Sequence, residues 1–284
     1  MKILVLGANG MLGNAMIRVL SERVDWHVYG TLRSPGSERY FNSKIARRLY
    51  SKIDVEHPDS LMQAFLVSRP DVVINCVGLV KQLANGEEPL QALSINALLP
   101  HRIAKMCALS GARFIHISTD CVFSGNKGNY NELDEPDPKD LYGRTKFLGE
   151  VTYPHNVVLR TSIVGHELES RHGLIEWFLS QDKTCKGYTR AIFSGLPTVV
   201  LAALVRDVVI PSGDLAGLFH IASDPISKYD LLKIVSKVYG KTIDVIKDDN
   251  LVIDRSLDAA KFMKRTGYTA PRWEEMIKLM CKYH

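Results

Sequence analysis

A glycine-punctuated turn between an apolar strand and an amphipathic helix constrains this chain more than any other feature. Lys2-Ile3-Leu4-Val5-Leu6 is a short apolar run. It passes directly into Gly7-Ala8-Asn9-Gly10-Met11-Leu12-Gly13, after which Met16, Ile17, Val19 and Leu20 recur at helical spacing. Strand, glycine turn and helix in that order build a cradle for a dinucleotide pyrophosphate. Gly7 permits the tight turn, Gly10 lets the backbone approach the phosphates, and Gly13 lets the helix pack close to the strand. Asn9, Met11 and Leu12 belong to the same cofactor-binding turn, where the N–H groups and positive end of the helix face the anion.

Strand-like and helix-like segments alternate beyond this turn. Strands are expected at Lys2–Leu6, Trp26–Gly30, Val72–Val77, Phe114–Ser118 and Val157–Arg160. Helices are expected at Met11–Leu20, Ser60–Val67, Leu90–Leu109 and Tyr142–Glu150. This rhythm predicts an α/β fold, a Rossmann-type doubly wound parallel sheet covered on both faces, with ligands outside the carboxyl ends of the strands. After Gly165 the pattern changes. A helix (Leu174–Ser180), a polar loop, a helix (Thr198–Val209), a strand (Leu218–Ala222), a helix (Lys228–Tyr239), a strand (Ile243–Ile246) and a helix (Trp273–Cys281) follow. The expected division is a dinucleotide-binding domain over 1–162 and a smaller C-terminal α/β substrate lobe over 163–284, with the 218–222 strand a candidate to rejoin the main sheet.

Composition narrows the class. The chain has 284 residues, 46% hydrophobic and 24% charged, the profile of a globular protein. Its apolar runs are too short and too polar to span a bilayer, and no basic segment followed by an apolar core marks a signal peptide. Five widely spaced cysteines, Cys76, Cys107, Cys121, Cys185 and Cys281, suggest neither a disulfide framework nor a metal site, so a reducing cytoplasm is expected. The net charge of +5 suits phosphorylated small molecules better than nucleic acid. His116, inside an apolar run, reads as a core residue rather than a ligand.

The second strand runs into Tyr29-Gly30-Thr31-Leu32-Arg33-Ser34. An NAD site wants an acid there to bond both ribose hydroxyls. None stands between Trp26 and Ser37, whereas Arg33 and Ser34 suit a 2′-phosphate. NADPH is therefore the expected cofactor and NADH the alternative; Arg33 as a plain surface arginine is the competing reading. Asp54, next to Val55, either bonds the adenine amino group or ends the third strand.

Tyr142-Gly143-Arg144-Thr145-Lys146 puts a phenol and an amine four apart, on one helix face. A phenol titrating near ~10 is a poor proton carrier at neutral pH. A neighbouring ammonium and an oxidised nicotinamide favour the phenolate. Tyr142 is then expected to protonate a developing alkoxide and to be recharged through Lys146 and the cofactor ribose. Ile117-Ser118-Thr119-Asp120 ends a strand upstream, where the Thr119 hydroxyl would polarise a carbonyl.

With these motifs assembled, the chain resembles the extended short-chain dehydrogenase/reductases, and among them the dTDP-4-dehydrorhamnose reductase group. The matching segments span almost the whole length: Gly7–Gly13, Asn75-Cys76-Val77-Gly78, Asn96, the run from Ser118 to Gly125, Tyr142–Lys146 and Leu159-Arg160-Thr161. Ile226-Ser227-Lys228-Tyr229 and Arg255-Ser256-Leu257-Asp258 resemble the family's sugar-nucleotide lobe. The resemblance implies a catalytic triad of Thr119, Tyr142 and Lys146, with Asn96 helping to position the lysine. Cys76, Val77 and Gly78 would line the adenosine–phosphate path, with Ser118 also beside the cofactor. Val122 and Phe123 would border the sugar or else be core. Lys81, Arg190 and Arg255 would meet the substrate diphosphate or else be surface charges. Cys121 stands where the family usually has tyrosine, close to the substrate.

The activity so implied is NADPH-dependent reduction of the C4 ketone of a nucleoside-diphosphate 4-keto-6-deoxysugar, supplying surface polysaccharide such as O-antigen. Some relatives are dimers, which leaves a homodimer open. Two alternatives stand beside it: a sugar-nucleotide 4-epimerase that retains its cofactor, and a non-catalytic NADP-binding regulatory subunit, as in relatives that regulate methionine adenosyltransferase. A 4,6-dehydratase would want Asp then Glu after the threonine, whereas Asp120 here is followed by Cys121.

Overall fold

The computed structural model describes residues 1–79, 88–169 and 171–283. Seven parallel strands form the central sheet. They are β1 (Lys2–Leu6), β2 (His27–Thr31), β3 (Leu49–Tyr50), β4 (Val72–Asn75), β5 (Arg113–Thr119), β6 (Asn156–Thr161) and, after four short strands, β11 (Gly217–His220). Their order is β11-β6-β5-β4-β1-β2-β3. The chain winds outward from β1 in both directions, so the topological switch lies between β1 and β4, where ligands of such sheets bind. The 217–220 strand pairs in parallel with β6, Phe219 opposite Leu159, so the second half of the chain does rejoin the main sheet.

Helices cover both faces because the strands are apolar on both. Ile3 and Val5 enter one core, against α1 (Met11–Leu20) and α8 (Thr198–Leu204). Leu4 and Leu6, turned the other way, enter a second, against α3 (Pro58–Ser68) and α5 (Leu99–Ser110). Period-two alternation between two buried layers turns these strands into near-continuous hydrophobic runs. The remaining helices are α2 (Ser43–Ala46), α4 (Pro89–Ala92), α6 (Leu141–Leu148), α7 (Leu174–Leu179), α9 (Lys228–Tyr239), α10 (Ala260–Thr266) and α11 (Trp273–Lys282). Among the described residues no helix is long and apolar enough to cross a membrane.

Three expectations need correction. The polar loop after Ser180 contains β8 (Thr184–Tyr188) and β9 (Ala191–Phe193). The buried face of β8 is Cys185 and Gly187, residues too small to leave a hydrophobic signature. A Cβ at Gly187 would stand 3.0 Å from the Tyr229 Cα, so α9 demands a glycine there. β8 pairs in parallel with β13 (Asp244–Asp248), while β9 lies between β12 (Ile226–Ser227) and β14 (Ile253–Asp254). The two short strands β7 (Ile163–Val164) and β10 (Leu196–Pro197) pair with each other. Second, the helices expected over Leu90–Leu109 and Thr198–Val209 each contain a π-helical stretch, Leu93–Leu98 and Val205–Val209. Third, β3 ends at Tyr50, so Asp54 does not terminate it. Asp54 shapes the turn before α3: its carboxylate accepts from the Glu56 N–H at 3.0 Å and its own N–H donates to the Ser60 Oγ at 2.9 Å.

Candidate active site

The glycine turn has the steric form of an anion cradle. Gly7 sits at φ +78, and a Cβ on it would lie 2.9 Å from Val77 Cγ2. At Gly13 a Cβ would lie 2.0 Å from the Gly7 carbonyl oxygen, a contact no side chain survives. Gly10 differs. Its nearest neighbour would be that same oxygen at 3.5 Å, ordinary contact, so within this chain the space in front of it is open. Gly10 also caps α1 without a side-chain hydrogen bond, and the first turn of α1 has no acid. Helix, cradle and open face together fit a pyrophosphate. Asn9 and Met11 are half-buried at the turn, whereas Leu12 is core and offers a ligand its backbone alone. The Gly7 N–H donates to Thr31 Oγ1 at 3.1 Å, tying the turn to the end of β2. Arg33 and Ser34 are exposed just beyond that end. Cys76, Val77 and Gly78 leave β4 beside Gly7; Val55 is half-buried against the second core.

The catalytic candidates come from β5 and α6. Asp140 caps α6 by accepting from the Gly143 N–H at 2.8 Å, which puts Tyr142 in the first turn and Lys146 one turn on. A Cβ at Gly143 would lie 2.2 Å from the Cys121 carbonyl oxygen, so this glycine lets α6 close onto the turn that follows β5. The Thr119 hydroxyl donates to Asp120 Oδ1 at 3.2 Å, accepts from the Cys121 N–H at 3.1 Å, and lies near enough to the Tyr142 phenol to act on it. The Lys146 amine donates to the Ile117 carbonyl at 2.7 Å. The three groups therefore converge at the carboxyl end of β5, one strand away from β4 and the glycine cradle beyond it.

Their electrostatics depart from the expectation in one respect. Burial pushes the Lys146 amine down to about 8, against the opposing pull of Glu150 and Cys76. Burial also pushes the Tyr142 phenol up, and Cys121, Asp120 and Asp140 raise it further, with Thr119 the opposing hydrogen bond. Desolvation thus dominates the phenol, and Lys146 is not among the groups that shift it most. It keeps its proton, which suits a donor.

Other candidates fall out differently. Asn96 is buried in the π-helical stretch before α5, and its amide donates to Thr145 Oγ1 at 3.2 Å. It therefore reaches Lys146 through the residue before it. Ser118 is buried, and its hydroxyl donates to Glu150 at 2.6 Å. Val122 and Phe123 are fully buried with Tyr130 and Leu257, and Phe123 stacks on Tyr130 at 4.1 Å. With no accessible surface they cannot touch a sugar, so they are core. Arg255 donates to the Phe123 carbonyl at 3.0 Å and meets Cys121 Sγ at 3.4 Å, bracing the turn after β5 from the C-terminal half of the chain. Arg190 is exposed between β8 and β9. Lys81 lies outside the described residues. Sequence reasoning missed Glu150, the third member of the Tyr142, Lys146, Glu150 series at four-residue spacing; that spacing was the available signal.

Comparisons with known proteins agree with this architecture. The chain is 27% identical over 269 residues to a probable low-salt glycan biosynthesis reductase of Haloferax volcanii, covering 90% of this chain and 86% of that protein. It is 31% identical over 172 residues to methionine adenosyltransferase 2 subunit beta of Xenopus tropicalis, covering 59% of this chain and 48%, about half, of that protein. Its fold matches the crystal structure of dTDP-4-dehydrorhamnose reductase from Bacillus anthracis in complex with NADP, with TM-score 0.80, 20% identity and complete coverage of both chains. The family model for the RmlD substrate binding domain matches residues 1–283. A glycine cradle, a Thr–Tyr–Lys site and a match over nearly the full length lead to one conclusion: this chain belongs to the RmlD substrate binding domain family.

Proposed function

We propose that the chain is an NADPH-dependent reductase of the C4 ketone of a nucleoside-diphosphate 4-keto-6-deoxysugar. The observation that carries this reading is the convergence of Thr119, Tyr142 and Lys146 at the end of β5, beside a cradle that fits a dinucleotide. When bound, the reduced nicotinamide supplies hydride to the carbonyl carbon. The Thr119 hydroxyl donates a hydrogen bond to the carbonyl oxygen and polarises it. Tyr142, whose phenol holds its proton in the resting chain, passes that proton to the oxygen as negative charge develops there. Lys146, cationic and fixed on the Ile117 carbonyl, offsets the phenolate left behind and favours its recharging. Arg33 and Ser34 recognise a 2′-phosphate, and the C-terminal lobe holds the nucleotide so that the keto carbon meets the nicotinamide. The product would serve polysaccharide assembly in the cytoplasm.

The test is a panel of nucleotide-linked 4-ketosugars followed by loss of NADPH absorbance. Stoichiometric NADPH consumption with one member supports the proposal; turnover without added NADPH would favour the epimerase. A second reading has a specific observation behind it, the likeness to the beta subunit of a methionine adenosyltransferase. A chain that binds NADPH, reduces nothing in the panel and is recovered with a partner enzyme would favour that one.

A further inference from the structure

Two side chains at the end of α6 land on consecutive residues of β5. Lys146 donates to the Ile117 carbonyl, and Glu150 accepts from the Ser118 hydroxyl. Glu150 is gripped from its other side by Arg160 on β6, whose Nε donates to Oε1 at 2.7 Å and whose terminal nitrogen donates to Oε2 at 2.6 Å. The pair is enclosed, with side chains 3% and 5% exposed. Arg160 also lies over the Phe123 ring at 5.3 Å and meets His220 Nε2 at 3.3 Å. The other ring nitrogen of His220 faces the Tyr130 carbonyl at 3.0 Å.

Such a cluster is a poor device for stability alone. A buried ion pair often does no better than apolar residues of the same volume. Its location suggests a different use. Among the described residues, the titratable groups acting on or facing Lys146 are Glu150 beyond its own helix, Cys76 after β4 and His116 on β5. Burial pushes the Cys76 thiol up to about 12 and the His116 imidazole well below its ordinary value, so both are neutral near pH 7. That leaves Glu150, the carboxylate ion-paired with Arg160. Two donors from Arg160 and one from Ser118 occupy its oxygens, which fixes the carboxylate in one orientation.

We propose that Glu150 is a positioning residue: locked by Arg160 and Ser118, it is the fixed counter-charge that keeps the buried Lys146 amine cationic and turned to the Ile117 carbonyl. This deepens the functional reading above and rests on Lys146 belonging to the redox centre. Glu150 thus supplies, from inside the fold, a negative charge that a buried amine otherwise lacks.

The test titrates Lys146 directly in the full chain, by NMR of 13Cε/15Nζ-labelled lysine with the signal assigned through K146R. In E150Q the acid dissociation constant of Lys146 should rise at least ten-fold, and E150D, which retains the charge, should bring it back toward wild type. E150Q leaves Arg160 buried without its partner, so E150Q/R160M provides a second background without that charge, where a smaller rise in the same direction is expected because the like charge of Arg160 is gone as well. A Lys146 titration that superimposes on wild type in either folded variant overturns the proposal, even if the variant is less stable or less active. The readout is independent of substrate. A shifted titration in a chain that reduces no ketosugar would sink the reductase reading and leave this one standing; an unshifted titration in an active reductase does the reverse.

Discussion

Asn96 grips Leu79 through both halves of its peptide: Oδ1 accepts from the Leu79 N–H and Nδ2 donates to the Leu79 carbonyl, each at 2.9 Å. One buried amide thereby fixes the segment leaving β4 and, through Thr145, the helix that carries Lys146. Replacing it by alanine removes these bonds and strands a buried N–H and a buried carbonyl, a loss of about 1–3 kcal/mol. N96A is expected to lower the free energy of urea unfolding by that amount and to weaken NADPH binding, since Cys76, Val77 and Gly78 lie in the segment it holds. An unfolding curve and a cofactor titration that both match wild type would refute this.

Substitution of Tyr142 is expected to separate chemistry from binding. Y142F removes the transferable proton and keeps the ring, so turnover of the ketosugar should fall by roughly 10²–10⁴-fold. NADPH affinity, measured by fluorescence, should change little. A fully active Y142F enzyme would show that another group protonates the alkoxide.

The two glycines of the cradle should fail in opposite ways. In G13A the new methyl meets the Gly7 carbonyl oxygen at 2.0 Å, backbone against side chain with no room to yield. That variant should lose thermal stability and cofactor binding together. In G10A the methyl meets nothing closer than 3.5 Å. That variant should keep a melting temperature near wild type while NADPH binding falls, because its methyl occupies the phosphate approach. Equal losses of stability in both variants would contradict the assigned roles.

Acid should destabilise the fold through its buried histidines. Burial and the nearby Arg160 guanidinium push His220 from 6.5 down to about 4. The unfolded chain takes up this proton near ~6.5 and the folded chain does not until about 4. Below that upper value the unfolded state binds the extra proton, so stability falls as pH falls through the window. His116 is shifted in the same direction by its own burial. Unfolding free energy should drop between pH 7 and pH 5, by about 2 kcal/mol from His220 alone, and H220Q should flatten the slope. Equal slopes for H220Q and wild type would remove His220 as a source.

Much of the fold was legible because its signals are local. The helices Met11–Leu20 and Lys228–Tyr239 run between the same residues in structure as in the pattern, each with its apolar positions at helical spacing. Where the pattern failed, small residues carried the burial, as Cys185 and Gly187 do in β8. Phe123 shows the complementary limit at the site. It stands close to the candidate residue Thr119 along the chain, yet it is fully buried with Tyr130 and Leu257.

The chain alone determined the strand–turn–helix cradle, the order of the main elements and the shared helix face of Tyr142 and Lys146. Those features follow from steric rules and periodicities that act within a few residues. Tertiary structure decided where the protons and charges reside: Tyr142 protonated, Lys146 turned to Ile117, Glu150 locked by Arg160, His220 neutral. Desolvation and ion pairing set those states, and both depend on which distant segments exclude water from a side chain, a quantity no short stretch of sequence contains.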